Sequence, residues 1–203
     1  MDRRQFLKGS FAAGLAGMMA PRAQGQDCCG PAGAVAPPIV SGDRLKITDV
    51  KSFGVTVDAA SDRPYVFVKI ETDQGVVGWG EATLEGKAAG TMATVQDLRD
   101  FLIGQDPMPV EHLWQSIYVH SFYRAGPVLG SALSGVDQAL WDIRGKVLGQ
   151  PVWRLLGGRK ADRLPAYASG GWAPAETIGE QLQSYISAGG FRSVKMRVGA
   201  TAA

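Results

Sequence analysis

Lys195 and Arg197 stand two residues apart at the end of an apolar stretch, residues 191–198, and are the side chains best suited to chemistry in this chain. On an extended strand Val194, Met196 and Val198 share one face, while Ser193, Lys195 and Arg197 share the other. The two cations would then lie about 7 Å apart. If the valines meet covering helices, the cations point to the inside of a sheet. An unpaired buried charge costs several kcal/mol, so such a pair requires anionic partners. Alternation alone also fits a plainer arrangement, a half-exposed edge strand with both cations in water. Arginine stays protonated, so Arg197 is a poor base and a good electrostatic clamp.

The elements that would position this pair can be read upstream and around it. Phe53, Val55 and Val57 alternate, as do Val66, Val68 and Ile70, and Asp73-Gln74-Gly75 leads into a third apolar run at residues 76–80. That pattern predicts a small antiparallel sheet. Helical periods follow. Met92, Val95, Leu98 and Leu102 mark a helix over 88–103, and Leu113, Trp114 and Ile117 mark one over 109–120, with Pro109 in its first turn. Leu129, Leu133, Val136, Leu140, Ile143 and Val147, spaced 4-3-4-3-4, predict a long helix over 126–148 closed by Gly149. A short helix over 151–156 stops at Gly157-Gly158.

Beyond Arg163 the pattern changes. Residues 164–168 read as a strand, Pro174 opens a helix with Ile178, Leu182, Tyr185 and Ile186 on its buried face, and residues 191–198 read as another strand. Strand, helix and strand at this spacing form a βαβ unit with parallel strands.

The first 25 residues read as an address. Arg3-Arg4-Gln5-Phe6-Leu7-Lys8 is a twin-arginine pattern, followed by an apolar run over 11–20 that is too short for a permanent membrane span. Cleavage after Gly25 would leave a periplasmic or secreted protein. The segment carries Arg3, Arg4, Lys8 and Arg22 against Asp2, so the formal net charge of +2 becomes about −1 without it. No basic patch then argues for nucleic acid. Cys28 and Cys29, the only cysteines, fall in a Pro/Gly/Ala-rich stretch read as a flexible linker over 26–43. They lack the neighbours of a metal site, although a vicinal disulfide stays open.

Several long motifs carry a family resemblance: IETDQGVVGWGEA at 70–82, SGVDQALWDIRGKVLGQPVWRLLGG at 134–158, and the Lys195-x-Arg197 strand, with FLIGQDP at 101–107, HLWQ at 112–115 and FYRAGPVL at 122–129. Over residues 45–199 the chain resembles the enolase superfamily in its mandelate racemase and muconate-lactonizing branch, and within it the D-galactonate dehydratase-like sugar-acid dehydratases. The resemblance implies an α+β capping domain over 44–160, followed over 161–203 by the first βαβ unit of a (β/α)8 barrel. It implies a Mg²⁺ held by three carboxylates on later barrel strands, so this chain is expected to be an N-terminal fragment with no metal ligand of its own and no activity. The implied reaction removes the proton next to a substrate carboxylate, stabilises the enediolate on the metal and expels the 3-hydroxyl.

By the same resemblance, Lys195 would contact the substrate carboxylate or a metal-bound oxygen. Arg197 replaces the lysine that serves many members as base, which favours a dehydratase over a racemase or cycloisomerase. Two cap loops would lend specificity, one bearing Asp58 and Arg63, the other Glu81. Glu81 either contacts substrate or pairs with a nearby cation; Tyr123 and Arg124 either line the site's mouth or belong to ordinary surface. His112 and His120 match no catalytic position and read as structural. The implied partner is a small sugar acid, and a homo-oligomer is expected of the full-length protein. The reading from a different class is a non-catalytic exported binding module.

Overall fold

The computed structural model describes residues 44–57, 63–120, 122–124, 126–170 and 173–197. The export segment, Cys28, Cys29, Asp58 and Val198 therefore lie outside the described residues.

Three strands, β1 (Ile47–Val55), β2 (Tyr65–Thr72) and β3 (Val77–Glu81), form an antiparallel sheet in the order β1-β2-β3. Val66, Val68, Ile70 and Thr72 of β2 point inward and are buried, and Tyr65, Phe67, Lys69 and Glu71 point outward. The β2–β3 turn is closed by Gly75 at φ +75°, a conformation that glycine adopts without strain, and Thr72 Oγ1 donates to Val76 O at 2.7 Å.

Strand β1 changes parity along its length. Its alternating residues Phe53 and Val55 are on the solvent face, and Val57 lies beyond the strand, 85% exposed. The buried positions are Leu45, Ile47 and Val50. A register irregularity between Ile47 and Asp49 explains the change of parity: one extra residue switches which side chains face the core, so Ile47 and Val50 both point inward.

Helices α1 (Ala88–Leu102), α2 (Val110–His120) and α3 (Pro127–Leu148) cover the inner face. The apolar period of α3 is the one expected, with Leu133, Val136, Leu140 and Ile143 buried and Leu129 and Val147 partly so. Each fully buried aliphatic side chain contributes roughly 1.5–3 kcal/mol. The helix ends at Gly149, which takes the left-handed conformation at φ 60°.

Contact between α3 and β3 is closer than side chains would permit. A Cβ on Gly78 would stand 2.1 Å from Ala139 O, one on Gly80 2.0 Å from Gly135 O, and one on Gly135 2.7 Å from the Ala82 Cβ. Gly78, Gly80, Gly135 and Ala139 thus form a seam where a helix backbone rests on a strand backbone.

Beyond the short α4 (Val152–Leu155), β4 (Ala168–Ser169) and β5 (Val194–Lys195) pair in parallel, with α5 (Ile178–Ser187) between them in sequence. The βαβ unit is present, but its strands are two residues each, shorter than the runs expected at 164–168 and 191–198. The helix begins at Ile178, since Pro174 sits in the turn before it and accepts from Ile178 N at 2.9 Å. No residue of α5 is buried; Ile178, Leu182 and Tyr185 are half-buried and Ile186 is exposed. A pair of two-residue strands offers one helix too little surface to cover.

Candidate functional site

At the C-terminal end of β3 an open groove of about 450 Å³ lies between that strand and the start of α3. Glu81, Ala82 and Thr83 form one wall; Pro127, Gly130, Ser131 and Ser134 form the other. The Glu81 carboxylate is held from below. Thr83 Oγ1 donates to Glu81 Oε1 at 2.7 Å and accepts from Val66 N at 3.1 Å, which ties the carboxylate through one hydroxyl to the backbone of β2. Among the described residues no cation pairs with Glu81. The opposite wall presents two hydroxyls, Ser131 and Ser134, beside the first turns of α3. Gly126 gives that helix no side-chain cap, so its positive end is left to the groove and solvent.

The main chain at Glu81 is held as well. Three polar residues one turn apart on α3 reach the outer edge of β3. Glu81 N donates to Gln138 Oε1 at 3.1 Å, and Gln138 Nε2 donates back to Glu81 O at 3.2 Å. Trp79 N donates to Asp142 Oδ2 at 2.9 Å, and Lys146 Nζ donates to Val77 O and to Asp142 Oδ2, both at 2.7 Å. Four helical residues advance about 6.0 Å and two strand residues about 6.8 Å, so the two rows stay in step. The helix supplies what a fourth strand would otherwise supply.

Other expected site residues are dispersed. Arg63 reaches Glu85 at 3.5 Å on the surface. Tyr123 is 82% exposed with its ring edge-on to Phe122, and Arg124 is exposed; neither is in the groove wall. His112 is exposed on α2. Lys195 and Arg197 are exposed, so the expected burial of this pair is not what the structure shows. The reason is the thinness of the second sheet, in which Lys195 pairs with Ser169 and the described residues supply two strands to enclose a side chain. Among the described residues no three His, Cys, Asp or Glu side chains converge to hold a metal, and the carboxylates of the Mg²⁺ site that the resemblance implies are not among the residues described. None of their helices is long and apolar enough to cross a membrane.

Gln138, Asp142, Lys146 and Thr83 were not among the residues singled out. The i, i+4, i+8 polar row on α3 and the Gly78-x-Gly80 pair were both visible, but only their juxtaposition gives them a role. Asp137, one residue from Gln138, has its carboxyl pushed above the usual 3.8 by burial and, to a lesser extent, by Glu111 on α2.

Comparison with known proteins agrees with this architecture. Residues 43–157 match the mandelate racemase / muconate lactonizing enzyme N-terminal domain. The chain belongs to that family. Its sheet and three helices are the family's capping domain. A D-galactonate dehydratase from Ralstonia nicotianae is 51% identical over 133 residues, covering 65% of this chain and 34% of that protein. The chain therefore spans about a third of that relative's length. An enolase from Pantoea ananatis with bound D-gluconate and Mg superposes at a TM-score of 0.67 with 38% identity, over 76% of this chain and 37% of the other. A member of the enolase superfamily from Salmonella Typhimurium does so at 0.67 with 31% identity, over 75% and 42%.

Proposed function

We propose that this chain is the N-terminal part of an enolase-superfamily sugar-acid dehydratase, and that its cap uses the groove at Glu81 to grip the hydroxylated end of the substrate. One observation carries the reading: among the described residues the groove wall holds a carboxylate and two serine hydroxyls and no cation. Such a lining accepts and donates hydrogen bonds to hydroxyls, and the full negative charge of Glu81 opposes a substrate carboxylate more than the partial positive end of α3 attracts it. The acid end belongs elsewhere, and Lys195 with Arg197 are the residues of this chain suited to it. The 51% identical dehydratase supports the same substrate class.

Within this proposal the longer protein abstracts a proton beside the carboxylate and loses the 3-hydroxyl in a Mg²⁺-dependent reaction. The Mg-bound Pantoea relative supports that dependence. No metal step is assigned to the residues described, since none of them forms a metal-binding group. Export through the twin-arginine route and assembly into a homo-oligomer are further parts of the proposal, resting on the N-terminal pattern and the family resemblance.

The test is turnover of D-galactonate and D-gluconate by the longer protein, with Mg²⁺ and after chelation. Formation of a 2-keto-3-deoxy product that stops on chelation is expected. No product from either acid, with binding absent in calorimetry, would sink the reading.

A further inference from the structure

We propose that Gln138 is a positioning residue for Glu81, acting on substrate affinity through the main chain of β3 without touching the substrate itself; this rests on the reading of the Glu81 groove given above.

Glu81 is the last residue of β3, an edge strand: β2 holds one side, with Ala82 N donating on to Val66 O, and the outer edge has no strand to lean on. Gln138 both accepts from and donates to this one residue, closing a two-point clamp on its peptide groups. The other rungs of the α3 row act further from the groove, at Trp79 and Val77. Gln138 also lies one helical turn from Ser134, which forms the opposite wall. The glycine seam sets how closely α3 and β3 approach, and Gln138 fixes the Glu81 peptide within that approach, facing the serine wall. Thr83 fixes the carboxylate and Gln138 fixes the backbone that carries it. Without Gln138 the Glu81 peptide groups lose both partners on their outer edge, while Ala82 N still donates to Val66 O at 2.7 Å, so the loosening centres on Glu81 and its carboxylate spends part of its time away from its partner hydroxyl. Affinity falls as the competent fraction falls.

The consequence is a split between kinetic parameters. Because Glu81 grips the hydroxylated end and not the reacting carbon, losing its placement removes binding common to ground state and transition state. KM then rises with kcat little changed. Methionine keeps the length of glutamine and removes both hydrogen bonds. In the longer protein, Gln138→Met should raise KM for D-galactonate or D-gluconate about two- to tenfold, the factor of one lost hydrogen bond, with kcat within about twofold. Hydrogen exchange of the segment 77–83 should accelerate in the same variant.

Lys146→Met is the control, because it breaks the same row at its far rung. It should lower the melting temperature comparably and leave KM unchanged. An unchanged KM in Gln138→Met, beside a raised KM in Glu81→Gln, would overturn the positioning role and spare the groove. An unchanged KM in both, with faster exchange at 77–83, would make Gln138 a purely structural clamp and remove the groove reading with it. Unaltered exchange in Gln138→Met overturns the proposal whatever the kinetics show.

Discussion

Gly80 shows how a missing side chain can govern a fold. Its absent Cβ would sit 2.0 Å from a carbonyl oxygen of α3, and backbone on either side cannot yield as a side-chain tip can. Gly80→Ala should destabilise by about 3 kcal/mol, the upper end of overpacking. Gly75→Ala should cost only about 1–2 kcal/mol, since the added methyl meets nothing and the penalty is its positive φ alone. Urea midpoints of the two variants decide the order. Acidic residues supply a second contrast. Arg99 Nε donates to Asp49 Oδ1 at 3.0 Å, and this bond, followed by that from Lys51, holds the Asp49 carboxyl below its usual 3.8. Lys69 and then Lys51 do the same for Glu71, below its usual 4.5. For both, the folded state binds fewer protons than the unfolded chain in that range. Their contribution is complete above the unfolded value and is lost as pH falls through the folded one. Asp137 has the opposite sign, because burial and Glu111 make its ionisation costly in the fold. Its penalty grows as pH rises from the unfolded value through the raised folded one. Between about pH 6 and pH 3, the urea midpoint should fall less in Asp49→Asn than in the parent. At neutral pH, Asp137→Asn should be at least as stable as the parent. A steeper acid loss in Asp49→Asn would contradict the first assignment, and a clear destabilisation of Asp137→Asn the second.

Among the elements, α3 does two jobs on two faces. Its apolar face roofs the sheet through Leu133, Val136, Leu140 and Ile143, and its polar row of Gln138, Asp142 and Lys146 occupies the open edge of β3. Covering an edge in this way removes a template on which another chain would pair. By contrast α5 buries none of its residues against β4 and β5. Leu140→Ala should therefore cost about 2–5 kcal/mol. Leu182→Ala should cost under about 1 kcal/mol, less than full burial of a leucine contributes. Equal losses would mean that α5 packs more tightly than its half-exposed face indicates. The same difference explains what could be read in advance. Helices α1, α2 and α3 end within a residue or so of the expected positions because local signals, Gly104, Pro109 and Gly149, stop or start them whatever lies around them. The alternation of Phe53, Val55 and Val57 marked a strand without marking its inner face, and the register irregularity near Ile47 leaves no mark in a hydrophobic pattern. The α3 row could not be assigned either. Its spacing is ordinary for a solvent-facing ridge, and only the Gly78-x-Gly80 seam brings that ridge within reach of a strand edge.

For the molecule as a whole, the two candidate anchoring regions differ in how far the described residues complete them. The groove has both walls, an anchored carboxylate and its hydroxyls. Lys195, on the second strand of a two-stranded pair, and Arg197, just beyond it, stand exposed, and it is strand context that would turn such a pair into a buried anion site. Alternation along residues 191–198 placed the two cations on one face, but burial depends on neighbouring strands, which no local pattern specifies. Two expectations follow from this asymmetry. On the proposed reading the 203-residue chain should give no product from either sugar acid, because the family resemblance places the metal-binding carboxylates on later barrel strands; turnover by this chain would contradict it. In the longer protein, by contrast, Lys195→Met should lower kcat/KM by about 10²–10³, the range for removing one group that stabilises developing negative charge. Arg197→Lys separates a clamp from a base. A clamp that needs only positive charge keeps much of its activity with lysine and adds no new dependence on pH near neutrality. A residue that takes the proton would instead gain activity with lysine, whose amine can lose its charge where a guanidinium cannot. Steady-state rates of these two variants across pH decide between the roles. Loss in Lys195→Met with retention in Arg197→Lys assigns both cations to the substrate's acid end, opposite in character to the hydroxyl-lined groove at Glu81.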